Sequence, residues 1–439
     1  MLRQYSQITG SSASALALSV EEAVRQGRLP PGAPLPTVRE LARARGLSPA
    51  TVAAAYRALR DRGLVSAQGR RGTRVTHRPP LSAPAPAPLA PGLRDVASGN
   101  PDPRLLPPLR PLLRALPAPV RVYDEPVHDA RLLALAARQL EADGIDGACL
   151  CVVSGALDGV ERVLQARLRP GDAVAVEDPG YNGVLDLVAA LGLVAEPVSL
   201  DDSGPRPEAL ARALKAGCRA LVLTPRAQNP TGAALDAVRT RELRRVLERH
   251  PDVLVVEDDH AGPVAGTPAF SLTPGRARWA VVRSVSKSLG PDLRLAVLAG
   301  DAPTVARVQG RQALGHGWVS HLLQGLVAAL WSDPATQRRL HRATEAYAER
   351  RQALLDALRR HGVVAHGRSG MNVWVPVMEE AATLARLAAA GWAVRAAERY
   401  RLRSGPAIRL TVSRLDPGEA DALAAAVAAA VRPASARTA

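Results

Sequence analysis

Residues 284–294 read Ser284-Val-Ser-Lys287-Ser-Leu-Gly-Pro-Asp-Leu-Arg294. They follow a short strand-like run at 280–284. The lysine draws attention because this chain holds 57 basic residues, and only Lys215 and Lys287 are lysines. A chain that uses arginine wherever a cation will do keeps a lysine for work arginine cannot perform, such as forming an imine with an aldehyde. Lys215 closes an amphipathic helical stretch and reads as a surface residue. Around Lys287, the hydroxyls of Ser284 and Ser286 are placed to bind a phosphate, and Arg294 to neutralise it.

Outward from this segment, short apolar runs at 149–153, 173–177, 193–198, 219–224, 253–257, 280–284 and 294–298 read as strands. Helical stretches at 156–168, 207–216 and 235–249 fit between several of them. Strands separated by helices predict right-handed crossovers and a largely parallel α/β sheet, with ligands at the C-terminal strand ends. The residues after about 335 suffice for a smaller α+β lobe.

Three further motifs fall at such strand ends. Val153-Ser-Gly-Ala-Leu157 leads from a strand into a helix, and its small residues Gly155 and Ala156 expose N–H groups suited to a phosphate. Glu177-Asp-Pro-Gly-Tyr181 sets an aromatic after a turn, either to stack on a flat heteroaromatic ring or simply to pack. Thr224-Pro-Arg-Ala-Gln-Asn229-Pro-Thr-Gly232 and Val253-Leu-Val-Val-Glu-Asp258-Asp-His260 end two more strands. A carboxylate buried there needs a cationic partner, and a protonated pyridine nitrogen would serve. The alternatives for 257–259 are a solvated loop or a metal site. No second cluster of His, Cys or acids accompanies the triplet, so no metal is expected.

The N-terminal 77 residues carry twelve arginines, no lysine and four acids, half of the net charge of +16. Such asymmetry favours a polyanion, although a solvated basic face would look the same. Thr37-Val-Arg-Glu40 is a capping-box pattern that opens a helix stopped by Gly46. Ser48-Pro49 opens a second helix, expected to run to about Arg62. Two short helices about a tight turn form the helix-turn-helix layout, whose second helix enters the major groove. Gln68-Gly-Arg-Arg-Gly72 is the basic tip of a hairpin beyond it. Residues 78–92, dense in Pro and Ala, read as a semi-rigid extended spacer.

Pro31-Gly-Ala-Pro-Leu-Pro-Thr-Val-Arg39, Leu47-Ser-Pro-Ala-Thr-Val52 and Gly69-Arg-Arg-Gly-Thr-Arg-Val75 resemble the GntR winged helix-turn-helix regulators. The resemblance implies DNA contacts by Arg39, Ser48, Thr51 and the Arg71-Gly72 wing. Pro49, Ala50 and Ala53 stand where many relatives have arginines, which leaves Arg57 and the wing arginines mainly to phosphate. The later motifs resemble fold-type I pyridoxal-phosphate enzymes, the aspartate aminotransferase superfamily. That likeness implies the cofactor pyridoxal 5′-phosphate, a Schiff base at Lys287, and phosphate contacts from Gly155, Ala156, Ser284, Ser286 and Arg294. It further implies ring stacking by Tyr181, O3′ contact by Asn229, the pyridine-nitrogen partner Asp258, and an α-carboxylate clamp at Arg409. His260 stands where relatives usually carry a tyrosine near O3′.

A GntR-like reader joined to such a domain resembles the MocR subfamily. This implies a reader at 1–77, a linker at 78–95 and an aminotransferase-like domain at 96–439, opening with Ala97-Ser-Gly-Asn-Pro-Asp-Pro-Arg-Leu-Leu-Pro107. It implies a homodimer that binds operator DNA, with an amine, an amino acid or vitamin B6 itself as effector. An external aldimine would change operator binding. Two other readings stay open: a working aminotransferase with an accessory DNA-binding domain, and a DNA-binding protein whose second domain is only a scaffold. Cys149, Cys151 and Cys218 cannot staple so long a chain and read as reduced core residues. With no membrane-length apolar run and no signal-peptide pattern, the expected compartment is the cytoplasm.

Overall fold

The structure is a computed structural model that describes residues 8–30, 32–61, 64–67, 72–75, 92–117 and 119–431. They group into two compact units. One takes in residues 1–87 with 168–174 and 183–195, and the other takes in the remainder.

In the first unit, the helix Val38–Arg45 opens with a reciprocal capping box. The Thr37 side chain accepts from the Glu40 N–H and Glu40 accepts from the Thr37 N–H, and Gly46 ends the helix at φ 64°. The next helix is Pro49–Asp61, and the Ser48 Oγ accepts from the Thr51 N–H at 3.0 Å. Both starts satisfy amides that helix geometry leaves without partners. Leu16, Val20, Leu41, Val52 and Leu59 form the buried core with the helix Ala13–Arg25. Buried Tyr56 donates to the Pro36 carbonyl at 2.7 Å, fixing the turn ahead of the helix pair. The strands Val65–Ala67 and Thr73–Val75 pair antiparallel as the wing. Residues 68–71 at its tip, Arg71 among them, lie outside the described residues, as does the expected helix end at Arg62–Gly63.

The second unit is built on an eight-stranded sheet. Its order is Leu150–Val153, Ala296–Gly300, Trp279–Ser284, Leu254–Asp259, Ala220–Leu223, Ala173–Asp178, Val194–Asp201 and Gly204–Pro205. The helices Ala156–Arg167, Pro207–Lys215 and Ala237–Glu248 lie between strands in sequence, within two residues of the expected bounds. Parallel pairing joins 254–259 to both 220–223 and 279–284. The strand 296–300 departs from the parallel expectation and runs antiparallel to both neighbours. Only residues 285–295 separate it from 279–284, too few for a crossover helix, so the chain turns back. That return loop carries Lys287.

The C-terminal lobe packs the helices Pro334–Arg360 and Ala420–Val431 on the strands Asn372–Pro376, Ala407–Thr411 and Arg395–Ala396, around buried Leu354, Leu358, Val373, Ile408 and Leu423. Most of the expected 78–95 linker lies outside the described residues. Its last two, Arg94–Asp95, are not spacer: they pair in parallel with Trp392–Ala393, because that ladder satisfies their backbone groups. Cys151 and Cys218 are buried free thiols, pushed up by burial to about 12 and about 11. Cys149 is only half-buried, a departure from the core position expected of it. Among the described residues no helix is long and apolar enough to cross a membrane, and no cluster of three or more metal-ligating side chains occurs.

Candidate cofactor site

Most of the site is carried at or just beyond the C-terminal ends of strands, with Arg294 ahead of the antiparallel strand 296–300 and Arg409 within the strand 407–411. After 150–153 the chain turns at Gly155, φ 99°, into the helix Ala156–Arg167. Gly159 lets that helix settle on the sheet, since a Cβ there would lie 2.8 Å from a Val282 methyl. A Cβ at Gly155 would lie 3.1 Å from an Arg294 Nη atom, so the guanidinium sits directly over the turn. Arg294 itself holds a left-handed φ of 42°, a costly conformation for a residue with a Cβ. The Ser284 Oγ donates to the Ser286 Oγ at 3.1 Å and accepts from the Ser286 N–H at 3.2 Å. Exposed amides, two hydroxyls and one guanidinium are the donor set for a phosphate.

The strand 254–259 supplies the acids, and alternation separates their roles. Asp259 meets Arg226 at 2.8 Å and Arg283 at 2.9 Å, and Asp143 joins Arg283 at 2.6 Å. Burial alone would raise the Asp259 carboxyl, but the Arg226 and Arg283 guanidiniums hold it far below the usual range. Asp258, on the opposite face and 3% exposed, has no such partner. Its Oδ1 is buried without any hydrogen bond, and burial followed by the nearby Asp259 charge pushes its carboxyl up to about 7. The reading of 257–259 as a solvated loop is excluded, since all three residues are buried strand.

Lys287 Nζ donates to the Gly99 carbonyl at 2.5 Å. Burial, helped by the charge of Arg409, lowers its ammonium to about 8. His260 is lowered to about 4 by burial and then by Lys287, so its imidazole is neutral at pH 7. Arg409 is buried; one Nη donates to Asn229 Oδ1 at 3.0 Å and the other to the Ala97 carbonyl at 2.6 Å. Its guanidinium carbon lies 5.2 Å from the Tyr400 ring centre, a cation–π distance. Tyr181 belongs to the same group: burial raises its hydroxyl, and Asp258, Tyr400, Arg409 and Arg294 all act on it.

Tyr181, Asn229, Asp258, His260, Lys287, Arg294 and Arg409 therefore converge, from segments more than 200 residues apart in sequence. Sequence reasoning missed what frames them. Tyr400 ends a single 3-10 turn, Glu398–Tyr400, with no pattern to announce it. Buried Asp178 accepts from the amides of Leu402, Arg403 and Ser404 and from the Ser404 hydroxyl, at 2.7 to 2.9 Å. Glu177 meets Gln228 at 3.2 Å, and burial raises its carboxyl to about 8. The Pro-Gly-Tyr that follows the two acids was the only signal near them.

In the first unit Arg39, Ser48 and Arg57 are exposed and Thr51 is half-buried. Ser48 and Thr51 share a hydrogen bond at 2.8 Å at the start of the second helix. Gly72 is exposed at φ 80°, a left-handed conformation that glycine adopts without strain. Arg74 is turned inward, donating to the Gly32 carbonyl at 2.9 Å.

Residues 137–427 match the family model for aminotransferase class I and II, and residues 12–75 match that of the bacterial regulatory proteins of the gntR family. The chain is 41% identical over 424 residues to the vitamin B6 salvage pathway transcriptional repressor PtsJ of Salmonella typhimurium, covering 95% of this chain and 98% of that one. It is a MocR-type GntR regulator. The pyridoxine biosynthesis regulator PdxR of Corynebacterium glutamicum is 29% identical, with 77% of each chain covered. Among solved structures, the α-aminoadipate aminotransferase LysN of Thermus thermophilus, in complex with N-(5′-phosphopyridoxyl)-L-leucine, superposes with a TM-score of 0.68 at 25% identity, covering 78% of this chain and 92% of that one. The MocR regulator thus combines a GntR reader with a fold-type I aminotransferase-like domain. Its residues suit pyridoxal phosphate. Asp258 has an orphaned buried oxygen that a pyridinium N–H would satisfy, the Gly155 turn at φ 99° suits glycine and lies against the Arg294 guanidinium, and Lys287 is a buried amine of lowered basicity.

Proposed function

We propose that this regulator binds pyridoxal 5′-phosphate covalently at Lys287 and that occupancy of the site changes its affinity for operator DNA. The observation that carries the proposal is the unpartnered buried Asp258 Oδ1, in a site where Tyr181 feels both Asp258 and Arg409 and Arg409 in turn acts on Lys287. A buried acid without a partner is costly, and a site that tolerates one is built for a ligand that brings the partner. When bound, the cofactor supplies an aldehyde and a cationic ring. The chain does the rest. Asp258 would hold the ring nitrogen and Tyr181 would cover the ring. Ser284, Ser286, Arg294 and the Gly155–Ala156 turn would hold the phosphate. Asn229 and His260 would serve the ring oxygen. Lys287 presents a largely un-ionised amine once the pH passes about 8, and neutral His260 adds no further charge beside it.

In this reading residues 1–77 are the reader, contacting DNA through Arg39, Ser48, Thr51, Arg57 and the Arg71-Gly72 wing. Residues 96–439 form the effector domain. The effector is a B6 vitamer, in keeping with PtsJ as a repressor of vitamin B6 salvage and PdxR as a regulator of pyridoxine biosynthesis, and Arg409 is the subsite for a ligand carboxylate. The assembly is a homodimer. Val120, Tyr123 and Leu314 are 91%, 88% and 91% exposed, and Tyr123 meets Trp318 edge-on at 5.8 Å, which joins the two segments into one apolar face. A second copy is the natural cover for such a face.

The test is a titration of purified protein with pyridoxal phosphate, followed by visible absorbance, borohydride trapping and peptide mapping, beside mobility shift on the DNA flanking its own gene. Expected are a yellow species fixed on the Lys287 peptide and a sequence-specific shift that changes with occupancy. A colourless protein with nothing trapped would refute the cofactor, and only sequence-blind, salt-weakened binding would refute the operator. Transamination has a specific observation in its favour, the complete set from Tyr181 to Arg409. Steady turnover of an amino donor and a keto acid would move the assignment to an enzyme.

A further inference from the structure

The lysine and the carboxylate-binding arginine are held by one short stretch of backbone. Ala97 O accepts from Arg409 Nη2 at 2.6 Å, and Gly99 O accepts from Lys287 Nζ at 2.5 Å. The stretch is pinned on both sides. Asp95 Oδ1 accepts the N–H groups of Ala97 and Ser98, both at 2.9 Å, and so aims the carbonyls. Val96 bonds through its N–H to the Ala393 carbonyl and through its carbonyl to the Thr411 N–H, two residues beyond Arg409. At the far end the Asp102 N–H donates to the Tyr347 hydroxyl at 3.0 Å, and Arg350 meets the Asp102 carboxylate at 3.1 Å. In sequence this strap closely follows the Pro- and Ala-rich segment that leaves the reader.

We propose that Asp95 is a positioning residue and that the strap 95–102 it shapes passes the state of Lys287 on to the chain leading to the reader. The inference rests on the covalent reading above. When Nζ captures an aldehyde, the nitrogen adds to the carbonyl carbon, a C=N bond forms, and the oxygen leaves as water with two nitrogen-bound protons. On the C=N nitrogen the ammonium's three donors fall to one when protonated and to none when neutral, so the hold on the strap carbonyl at Gly99 is weakened or lost. A ligand carboxylate at Arg409 would share with Ala97 O the same guanidinium, whose Nε is buried without a partner, and so would also act on the strap. Both events act on one stretch of seven or eight residues, tethered on one side to the C-terminal strand and on the other to the long helix. The strap thus reports occupancy without any contact between ligand and reader.

The test uses the full chain. Asp95→Ala keeps Lys287 and Arg409 but frees the Ala97 and Ser98 amides. It is expected to capture pyridoxal phosphate at least as tightly as the wild type, because no well-aimed carbonyl competes for Nζ. The change in operator affinity on adding the cofactor is expected to shrink to less than about a third of the wild-type ratio, as one hydrogen-bonded link is removed. An unchanged ratio overturns the proposal. Where Asp95→Ala does not fold, hydrogen exchange on the wild type decides. The 96–102 peptide should exchange faster with cofactor bound, by about fivefold, the scale of one lost hydrogen bond. No change there, while the Lys287 peptide responds, overturns it equally. A wild type that captures no cofactor at all sinks the covalent reading instead, so the two failures are distinguishable.

Discussion

Asp258 and Asp259 are neighbours in one strand with opposite fates, and the difference is testable by pH. Asp259 is neutralised by Arg226 and Arg283, whereas Asp258 is buried without such a partner, and burial pushes its carboxyl up to about 7. A carboxyl raised in the folded state keeps its proton there while the unfolded chain gives it up. Asp258 therefore erodes stability as pH rises from about 4 to about 7 in the cofactor-free protein. Asp258→Asn removes that penalty. At pH 8 the variant should be more stable than the wild type by a few kcal/mol in order of magnitude, read by chemical denaturation without cofactor. The same variant should bind pyridoxal phosphate roughly ten- to a hundredfold more weakly, because a charge-assisted hydrogen bond is lost. A variant that is both less stable and equally tight would contradict the role given to Asp258. Lys287→Arg keeps a cation but cannot form an imine, so it should fold and trap nothing with borohydride. At this scale much was legible. The scarcity of lysine singled out Lys287, and the strand-end acids singled out 257–259. Which acid lacked a partner was not legible, because Arg226 and Arg283 meet Asp259, and Asp143 meets both arginines, only through tertiary folding.

Among the elements, the helices announce themselves through caps and the irregular loops do not. The Thr37–Glu40 box and Gly46 marked the helix Val38–Arg45, and the structure has both. Thr37→Ala should cost the reader about 1 kcal/mol, seen as faster hydrogen exchange across residues 38–45. Unchanged exchange would mean that tertiary packing alone sets that helix. The antiparallel return of 296–300 was missed because an apolar run carries no direction; the short 285–295 connection is what decides it. The loop 400–404 was silent in the sequence, yet it brings Tyr400 under Arg409 and hangs on Asp178. Asp178→Ala leaves three amides without their acceptor. The expected loss is about 3 kcal/mol in thermal or denaturant unfolding, together with faster proteolysis at 401–405. A loss of only about a few tenths of a kcal/mol would show that water replaces the carboxylate freely.

At the scale of the whole molecule, the charge asymmetry of the first 77 residues turns into an ionic-strength law. Operator affinity should fall linearly on logarithmic axes as salt rises, and Arg39→Ala or Arg57→Ala should each reduce the slope by about one. Slopes identical to the wild type would remove both residues from the DNA contacts. The two-part design was readable because each part carries its own ordered motifs and the Pro- and Ala-rich stretch separates them. How the parts communicate was not readable, since the carbonyls of Ala97 and Gly99 belong to the backbone and leave no mark on residue identity. The most direct test compares operator affinity of the full-length wild type and Lys287→Ala across a pyridoxal phosphate titration at constant salt. The wild type should shift its affinity in step with the appearance of trapped cofactor, and the variant should bind operator with one fixed affinity throughout. Equal cofactor response in both proteins would contradict covalent control through Lys287.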